Sequence, residues 1–543
     1  MKRTWNCNAY MNTSFESLKL NKFGRRVIIG IIMAAAFIMR FKGIWFGYPL
    51  MVHPDEPVIV NSALNIIKTH NLNPNTFNYP SLNIYLQAIT YSGLNIYNYI
   101  VGYPIGNIAK IDYYLVGRTV TVLLSVATIY ITYEIGKRLF NEIIGILAAF
   151  FICMSHLHLS NSYSITVDSP VAFWASLSML MAVQIYKYGE KRYYYLLAGI
   201  FAGCAVSSKY NAVFAILPMV VAHIYSVKNK LLKEWIDRNL IYGLLIGAAA
   251  FILTTPYALF DIKNFMGWLE FQRQQYAYGH AGYESSGNYS LWLYLSYLYK
   301  EGYGILPTIF ACMALIWLLI KDYWKALLII IFPCTLIFFM GLYKTYFTRN
   351  IVSVIPFMAI LTGVAIYNIA KIISQKTGIY SISKNYNLSV IIIIVLLTVS
   401  VSLSSTYNSI NELRKTALPD TRWVATKWIL ANFPPNLKIA REAYTPPIED
   451  YSTNYLVTKL EWNALIPEKQ NIIADHDYVF LSSQFYDRYT HNPQMYPEMA
   501  ERYKKFFQEH ELVKEFLPDW KTTGGPTIRI YKINHSCVTF LQK

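Results

Sequence analysis

Charge is scarce in this sequence. Only 15% of its 543 residues are Asp, Glu, Lys or Arg, against 55% hydrophobic ones, whereas a soluble domain carries about 25% charge. An ordinary soluble protein is excluded. Cysteine is scarce as well: there are six, and no CxxC pair. Cys153, Cys204, Cys312 and Cys334 lie inside apolar runs, and Cys7 and Cys537 are too far apart in topology to imply a bridge, so no disulfide framework or redox motif is predicted. Acidic residues are outnumbered, 31 to 48, for a net charge of +17. The cations fall in short runs between apolar segments, where they orient a chain in a membrane, and no nucleic-acid partner is predicted. No repeat relates the two halves, as many transporters would show.

Apolar runs of about 15 to 22 residues are abundant, against the roughly 20 that cross a bilayer. They begin near Arg26, Arg118, Ile143, Asp168, Tyr193, Ala212, Leu240, Tyr303, Lys325, Ile351 and Leu388. The first follows Lys19, Lys22, Arg25 and Arg26 and lacks a small-residue cleavage site, so it reads as a retained signal anchor. The run Leu82 to Val101 carries Gln87, Thr90, Asn95 and Asn98 and suits an interfacial or re-entrant helix. With that assignment the loops at Lys137-Arg138, Lys187 to Arg192, Lys228 to Arg238, Lys321 to Lys325 and Lys371 to Lys384 share the side of the basic N-terminus. Treating it as a span would send every later basic loop outside, against the positive-inside rule.

The predicted fold class is therefore an α-helical polytopic membrane protein of about 11 spans with a C-terminal soluble α/β domain. Residues 1–25 form a cytoplasmic N-terminus, 26–410 the transmembrane domain with a long first outer loop at 47–117, and 411–543 an extracytoplasmic domain. In that last segment Trp423 to Asn432 has helical periodicity, Leu437 to Ala440 and Tyr478 to Leu481 are short apolar strands, and Thr527 to Ile533 alternates as an edge strand would. It carries no metal-ligand spacing, Gly-rich phosphate loop or nucleophile elbow; a lid or acceptor-docking role without chemistry is the expectation.

The outer segments collect the unusual residues. His53-Pro54-Asp55-Glu56 follows the first span, and carboxylates beside hydrocarbon are expensive to hold, so such a pair usually has a task. Its bland alternative is a solvated loop charge. Asp55 or Glu56 could serve as general base on a hydroxyl. Lys209 and Arg349, each at the outer end of a span, are placed to neutralise a phosphate, which Arg can grip bidentately; alone, each could equally snorkel to the interface. His280, a single histidine in an aromatic loop, is more often a hydrogen-bonded surface residue than a ligand.

Taken in order, several motifs resemble a known family. These are His53-Pro54-Asp55-Glu56, Phe77-Asn78-Tyr79-Pro80-Ser81-Leu82, Arg118 ahead of Gly136-Lys137-Arg138-Leu139-Phe140, Ser162 to Pro170 with Asp168, Ser208-Lys209-Tyr210, Thr255-Pro256-Tyr257 with Asp261, and Thr348-Arg349-Asn350 followed by Ile355-Pro356-Phe357. Together they look like the GT-C glycosyltransferases, in particular the dolichyl-phosphate-mannose protein mannosyltransferases of glycosyltransferase family 39 and the bacterial lipid A aminoarabinose transferases, over roughly residues 20 to 410. The resemblance implies an inverting transfer from a polyprenyl-phosphate-linked sugar to an acceptor protein, lipid or glycan at the outer face of the cell membrane. It implies Asp55 as catalytic base and Glu56 as a contact orienting acceptor or sugar. Asp168, Lys209 and Arg349 match substrate and phosphate positions, and Tyr79, Arg118 and His280 complete the candidate substrate contacts. Where the aminoarabinose transferases have an acidic residue this chain has Asn78, and Tyr79 stands where the mannosyltransferases have His, so a metal site shared with His280 is not supported; no cofactor is the expectation, with a divalent metal as the open alternative. The alternatives are a transporter or flippase, and a surface-glycan polymerase or ligase.

Overall fold

The computed structural model describes residues 21–102, 108–189, 191–230, 237–287, 289–377, 386–460, 465–466 and 469–535. Cys7, Cys537 and most of the predicted cytoplasmic N-terminus lie outside them.

The chain opens with α1 (Lys22–Gly43), started by the Asn21 side chain accepting from the Gly24 N–H. The first loop then holds α2 (Glu56–Thr69) and α3 (Leu82–Ile100) before α4 (Lys110–Leu139). The sequence places the α4 span at Arg118, but the helix starts two turns earlier. Asp112 accepts from the Ala109 N–H at 3.0 Å and fixes the N-terminus there, which carries Arg118 into the buried interior.

All eleven predicted runs are helical. Six helices among the described residues are long and apolar enough to cross a membrane: Lys110–Leu139, Asp168–Tyr188, Tyr210–Val227, Tyr323–Gly341, Thr348–Gln375 and Leu388–Thr416. A seventh is formed if Leu291–Gly302 and Ile305–Lys321, bent by 118° at their break, make one span. The count of about eleven goes beyond these by four helices: Glu142–Cys153 and Arg238–Thr254 are shorter than the bilayer demands, and Lys22–Gly43 and Arg192–Ser208 are not among the helices long and apolar enough to span. The protein is a multi-pass membrane protein.

Two glycine pairs set the closest helix contact. A Cβ on Gly199 would stand 2.0 Å from the Gly243 carbonyl oxygen, and one on Gly203 2.3 Å from that of Gly247, so Arg192–Ser208 and Arg238–Thr254 meet backbone to backbone as small residues allow. Gly117 does the same for α3, because a Cβ there would strike Tyr91 and Gln87. α3 buries Asn83, Gln87 and Tyr91 against the bundle and exposes Ile89, Ile96, Tyr97 and Ile100, and it is not among the helices apolar enough to span.

The last long helix runs Tyr386–Thr416 and leads into a five-stranded mixed sheet: β1 (Lys438–Arg441), β2 (Leu456–Lys459), β3 (Tyr478–Ser482), β4 (Glu511–Phe516) and β5 (Ile528–Lys532), in the order β2-β1-β3-β5-β4. β1 pairs parallel with β2 and β3, and β5 antiparallel with β3 and β4. The helix Thr421–Asn432 covers one face through Ala425 and Ile429 against Ile439, Phe480 and Ile530; Pro497–Glu509 covers the other through Tyr503 and Phe506 against Val479, Leu481 and Tyr531. Thr527 to Ile533 is thus not an edge. Its strand is buried on both sides, and the edges are β2 and β4, whose short exposed faces give little periodic signal.

Candidate functional site

Each polar side chain of the site sits at a break in a helix. Asp55 is the residue before α2, where Pro57 fits the first turn. Asp168 opens the helix Asp168–Tyr188. Lys209 is an extended residue between Ser208, the end of a helix, and the 3-10 turn Tyr210–Ile216. Arg349 and Asn350 lie in the 3-10 turn Thr348–Val354. Tight turns at these points aim long side chains inward across the bundle end.

They converge. Lys209 Nζ lies 2.6 Å from Asp168 Oδ1 and donates to Asn350 Oδ1 at 2.7 Å. Arg349 Nη2 is 3.1 Å from Asp55 Oδ2, and its Nε is 4.0 Å from Asp168 Oδ2. Asn350 donates on to the Tyr294 hydroxyl at 3.0 Å and to the Tyr276 hydroxyl at 3.2 Å, and the Arg349 guanidinium lies 4.7 Å above the Phe347 ring. Two cations and two carboxylates thus balance one another, which is how charge is tolerated in such a place. The two acids differ in access: the Asp55 side chain is 19% exposed and that of Asp168 1%. Tyr79 is buried within electrostatic reach of Asp55, Arg349 and Asp168, and burial, then Asp55, raises its phenol well above the ordinary range. Tyr276 is pushed up to about 12, chiefly by burial. Burial lowers the Lys209 ammonium, partly offset by Asp168.

Glu56 takes another direction. It is fully buried, and Arg118 donates to both its oxygens, from Nε at 2.8 Å and Nη2 at 2.7 Å. Oε1 also accepts from the Ile165 N–H at 2.9 Å, and Arg118 Nη1 donates to the carbonyls of Ile44 and Phe46. With every oxygen committed and no solvent access, Glu56 and Arg118 are corrected from substrate contacts to a clasp. It ties the end of α1, the start of α2, α4 and the stretch before Asp168, and so positions Asp55 and Asp168. His280 stands at the edge of the site, its ring 5.6 Å from Phe347 and its Nδ1 3.5 Å from Gln275 Nε2; burial, then Arg488, lowers its pKa.

Asp55 and Asp168 are in ion pairs, Asn78 accepts from Gln272, and no group of three His, Cys, Asp or Glu among the described residues could hold a metal ion. Sequence reasoning missed Asn350 and Tyr276 as members of the network. Asn350 follows Arg349 in a recognised motif, but its amide carries no charge signal, and Tyr276 is one tyrosine of 46.

Two cavities border residues of the site or their chain neighbours. One, of about 250 Å³, is walled by Tyr79, Lys209, Tyr276, Phe339 and Tyr343. The other, of about 380 Å³, lies between His53-Pro54 and the C-terminal domain.

By sequence, residues 90–270 match the family described as dolichyl-phosphate-mannose-protein mannosyltransferase; no curated protein matches the chain. Several solved structures share the fold. ArnT from Cupriavidus metallidurans bound to undecaprenyl phosphate superposes with a TM-score of 0.55 at 11% identity, covering 94% of this chain and 98% of that one. The Archaeoglobus fulgidus oligosaccharyltransferase in its apo form gives 0.57 at 11% identity, over 87% of this chain and 71% of that one. The archaeal oligosaccharyltransferase AglB from the same organism, in complex with an inhibitory peptide and a dolichol-phosphate, gives 0.55 at 13%, over 90% and 72%. The chain has the GT-C glycosyltransferase fold, as the ordered motifs led one to expect.

Proposed function

We propose that this GT-C chain is an inverting glycosyltransferase that moves a sugar from a polyprenyl-phosphate donor to an acceptor hydroxyl at the extracytoplasmic membrane face. The observation that carries this reading is the Asp55–Arg349–Asp168–Lys209 cluster, with Lys209 in the wall of one cavity and His53-Pro54, next to Asp55, in the wall of the other. The smaller cavity, apolar and aromatic with Lys209 in its wall, suits a lipid phosphate, and structures of the same fold hold undecaprenyl phosphate or dolichol-phosphate. The acceptor oxygen attacks the anomeric carbon from the face opposite the phosphate. Asp55, the more accessible acid, takes the hydroxyl proton as the new C–O bond forms. The old bond breaks with its electron pair on the phosphate oxygen, which Lys209 and Arg349 stabilise without protonating it. A phosphate arriving at Arg349 competes with Asp55 for the guanidinium, so donor binding frees the base it needs. Tyr79 and Tyr276, held as neutral phenols, can donate hydrogen bonds to donor oxygens. Residues 26–410 would carry this chemistry and 411–543 would cover it from outside.

The test is turnover with dolichyl- or undecaprenyl-phosphate sugars in proteoliposomes. Asp55→Asn should lose roughly 10²- to 10⁴-fold in rate, the span expected of a general base, while binding the lipid phosphate as well as the parent. Turnover equal to the parent would remove Asp55 from the mechanism. Sugar-lipid carried across the bilayer with its glycosidic bond intact would favour a flippase.

A further inference from the structure

The larger cavity is built by the C-terminal domain and is not accounted for by donor binding. Its floor is the Asp55 loop, with His53, Pro54 and Pro57, together with Lys110 and Tyr114 of α4. Its roof comes from the carboxyl ends of two parallel strands: Arg441 ends β1, Lys459 ends β2, and Ala443, Tyr444 and Thr445 follow β1. Open α/β sheets bind ligands outside the carboxyl ends of their strands. Here that end of the sheet faces His53 and Pro54, the residues next to the proposed base. Arg422 Nη1 donates to the Val52 carbonyl at 3.4 Å, fastening the domain to the loop, and Tyr444 lies within electrostatic reach of Asp55.

The walls indicate what fits. Four cations, Lys110, Arg422, Arg441 and Lys459, face the cavity against one carboxylate, the exposed Asp450. Arg422 is neutralised by Asp420, but Arg441 and Lys459 share the single carboxylate of Glu449, and Lys110 is in no ion pair among the described residues. Counting these partners, one positive charge remains. Tyr444 and Tyr451 also line it, and the negative π surface of an aromatic ring attracts the polarised C–H bonds of a sugar; the volume is ordinary for a small-ligand site.

We propose that this cavity holds the acceptor and that the acceptor is an anionic saccharide, carrying a carboxylate or a phosphate. This rests on the transferase reading and names its second substrate class. The anion lies toward Lys110 and Lys459, and the sugar hydroxyl lies past His53 at Asp55.

Binding to the purified full-length protein in detergent tests this with three probes: a hexuronic-acid disaccharide, a hexose 6-phosphate and a neutral disaccharide. The charged probes should bind more tightly than the neutral one and weaken as salt is raised, because partly exposed charges are screened; which of the two wins tells carboxylate from phosphate. Lys110→Ala and Lys459→Ala should each weaken the charged probes by roughly three- to tenfold and leave the neutral one alone. Lys110→Glu should weaken them further. Equal binding of charged and neutral probes, indifference of the charged probes to both lysines, or no binding of either charged probe overturns the proposal. Dolichyl phosphate measured in the same samples separates the two readings: it should bind the Lys110 and Lys459 variants like the parent and be weakened in Lys209→Ala. A parent protein that binds the anionic saccharide but no dolichyl phosphate would sink the donor reading instead.

Discussion

The carboxylates of Asp55 and Glu56 leave the start of α2 in different directions, one toward Arg349 and the other into the fully buried clasp with Arg118. Removing half of such a pair leaves an uncompensated buried charge, costing roughly 3–5 kcal/mol. Arg118→Met should therefore lower the thermal stability of the detergent-solubilised protein by a corresponding amount. The doubly substituted Glu56→Gln, Arg118→Met should recover part of that loss but not activity, since Asp55 and Asp168 lose their shared tether. Equal thermal stability of Arg118→Met and parent would show that the clasp carries no load. Lys209 makes a pH prediction. Burial holds its ammonium below the usual lysine range in the free protein, and a bound phosphate would raise it again. The bound state then holds the proton more tightly, so donor affinity is full at lower pH and falls as pH rises through the free-protein value. Lys209→Arg, charged at all working pH, should flatten that alkaline fall in a donor-binding titration; an unchanged fall would assign it to another group. Burial and Arg488 keep His280 below the ordinary imidazole range, which disfavours its charged form as a further cation for the donor. The meeting of Asp55, Asp168, Lys209 and Arg349 was legible because each is a costly charge at a span end. The fate of Glu56 was not, because two adjacent carboxylates look alike until a partner is placed beside one of them.

The helices were legible wherever an apolar run was long, and misjudged in extent where a cap decided the end, as at Lys110. Sequence gave no hint of which helices touch. Gly199 and Gly203 are two of 26 glycines, and only the packing shows that carbonyl oxygens of Gly243 and Gly247 occupy the space a side chain would need. Gly203→Leu should force Arg192–Ser208 and Arg238–Thr254 apart at a cost of about 1–3 kcal/mol. Because Lys209 directly follows the first of these helices, the same substitution should weaken lipid-phosphate binding. Thermal unfolding together with dolichyl phosphate binding checks both effects; loss of stability with normal binding would uncouple the helix contact from the site. In the C-terminal domain β1 and β3 were readable as apolar runs. β2 and β4 were not, because an edge strand with one wet face looks like a loop, and without β4 the strand β5 itself passed for an edge.

Across the whole molecule, contacts separate two ends. At one, Arg25 pairs with Glu142, Lys325 lies over Phe140, Lys228 lies near Trp324, and Arg192 lies over Tyr242, so cations from four different helices and loops gather where Lys137, Arg138 and Lys187 also emerge. At the other lie Asp55, Asp168, Lys209, Arg349 and the sheet domain. The positive-inside rule assigns the first end to the cytoplasm, and a donor presented at the outer leaflet requires the second to be outside. The two arguments are independent, one resting on insertion energetics and the other on chemistry, and they must agree for the transferase reading to stand. Single cysteines at two exposed lysines decide the matter: Lys521→Cys in the C-terminal domain and Lys187→Cys at the basic end, in a background whose native cysteines are replaced. A membrane-impermeant maleimide should label Lys521→Cys on intact cells and Lys187→Cys only after permeabilisation. The reverse pattern would put the Asp55 cluster in the cytoplasm, where activated sugars are nucleotide-linked and water-soluble, and would leave an aromatic cavity ending in Lys209 without the lipid that its shape and charge suit.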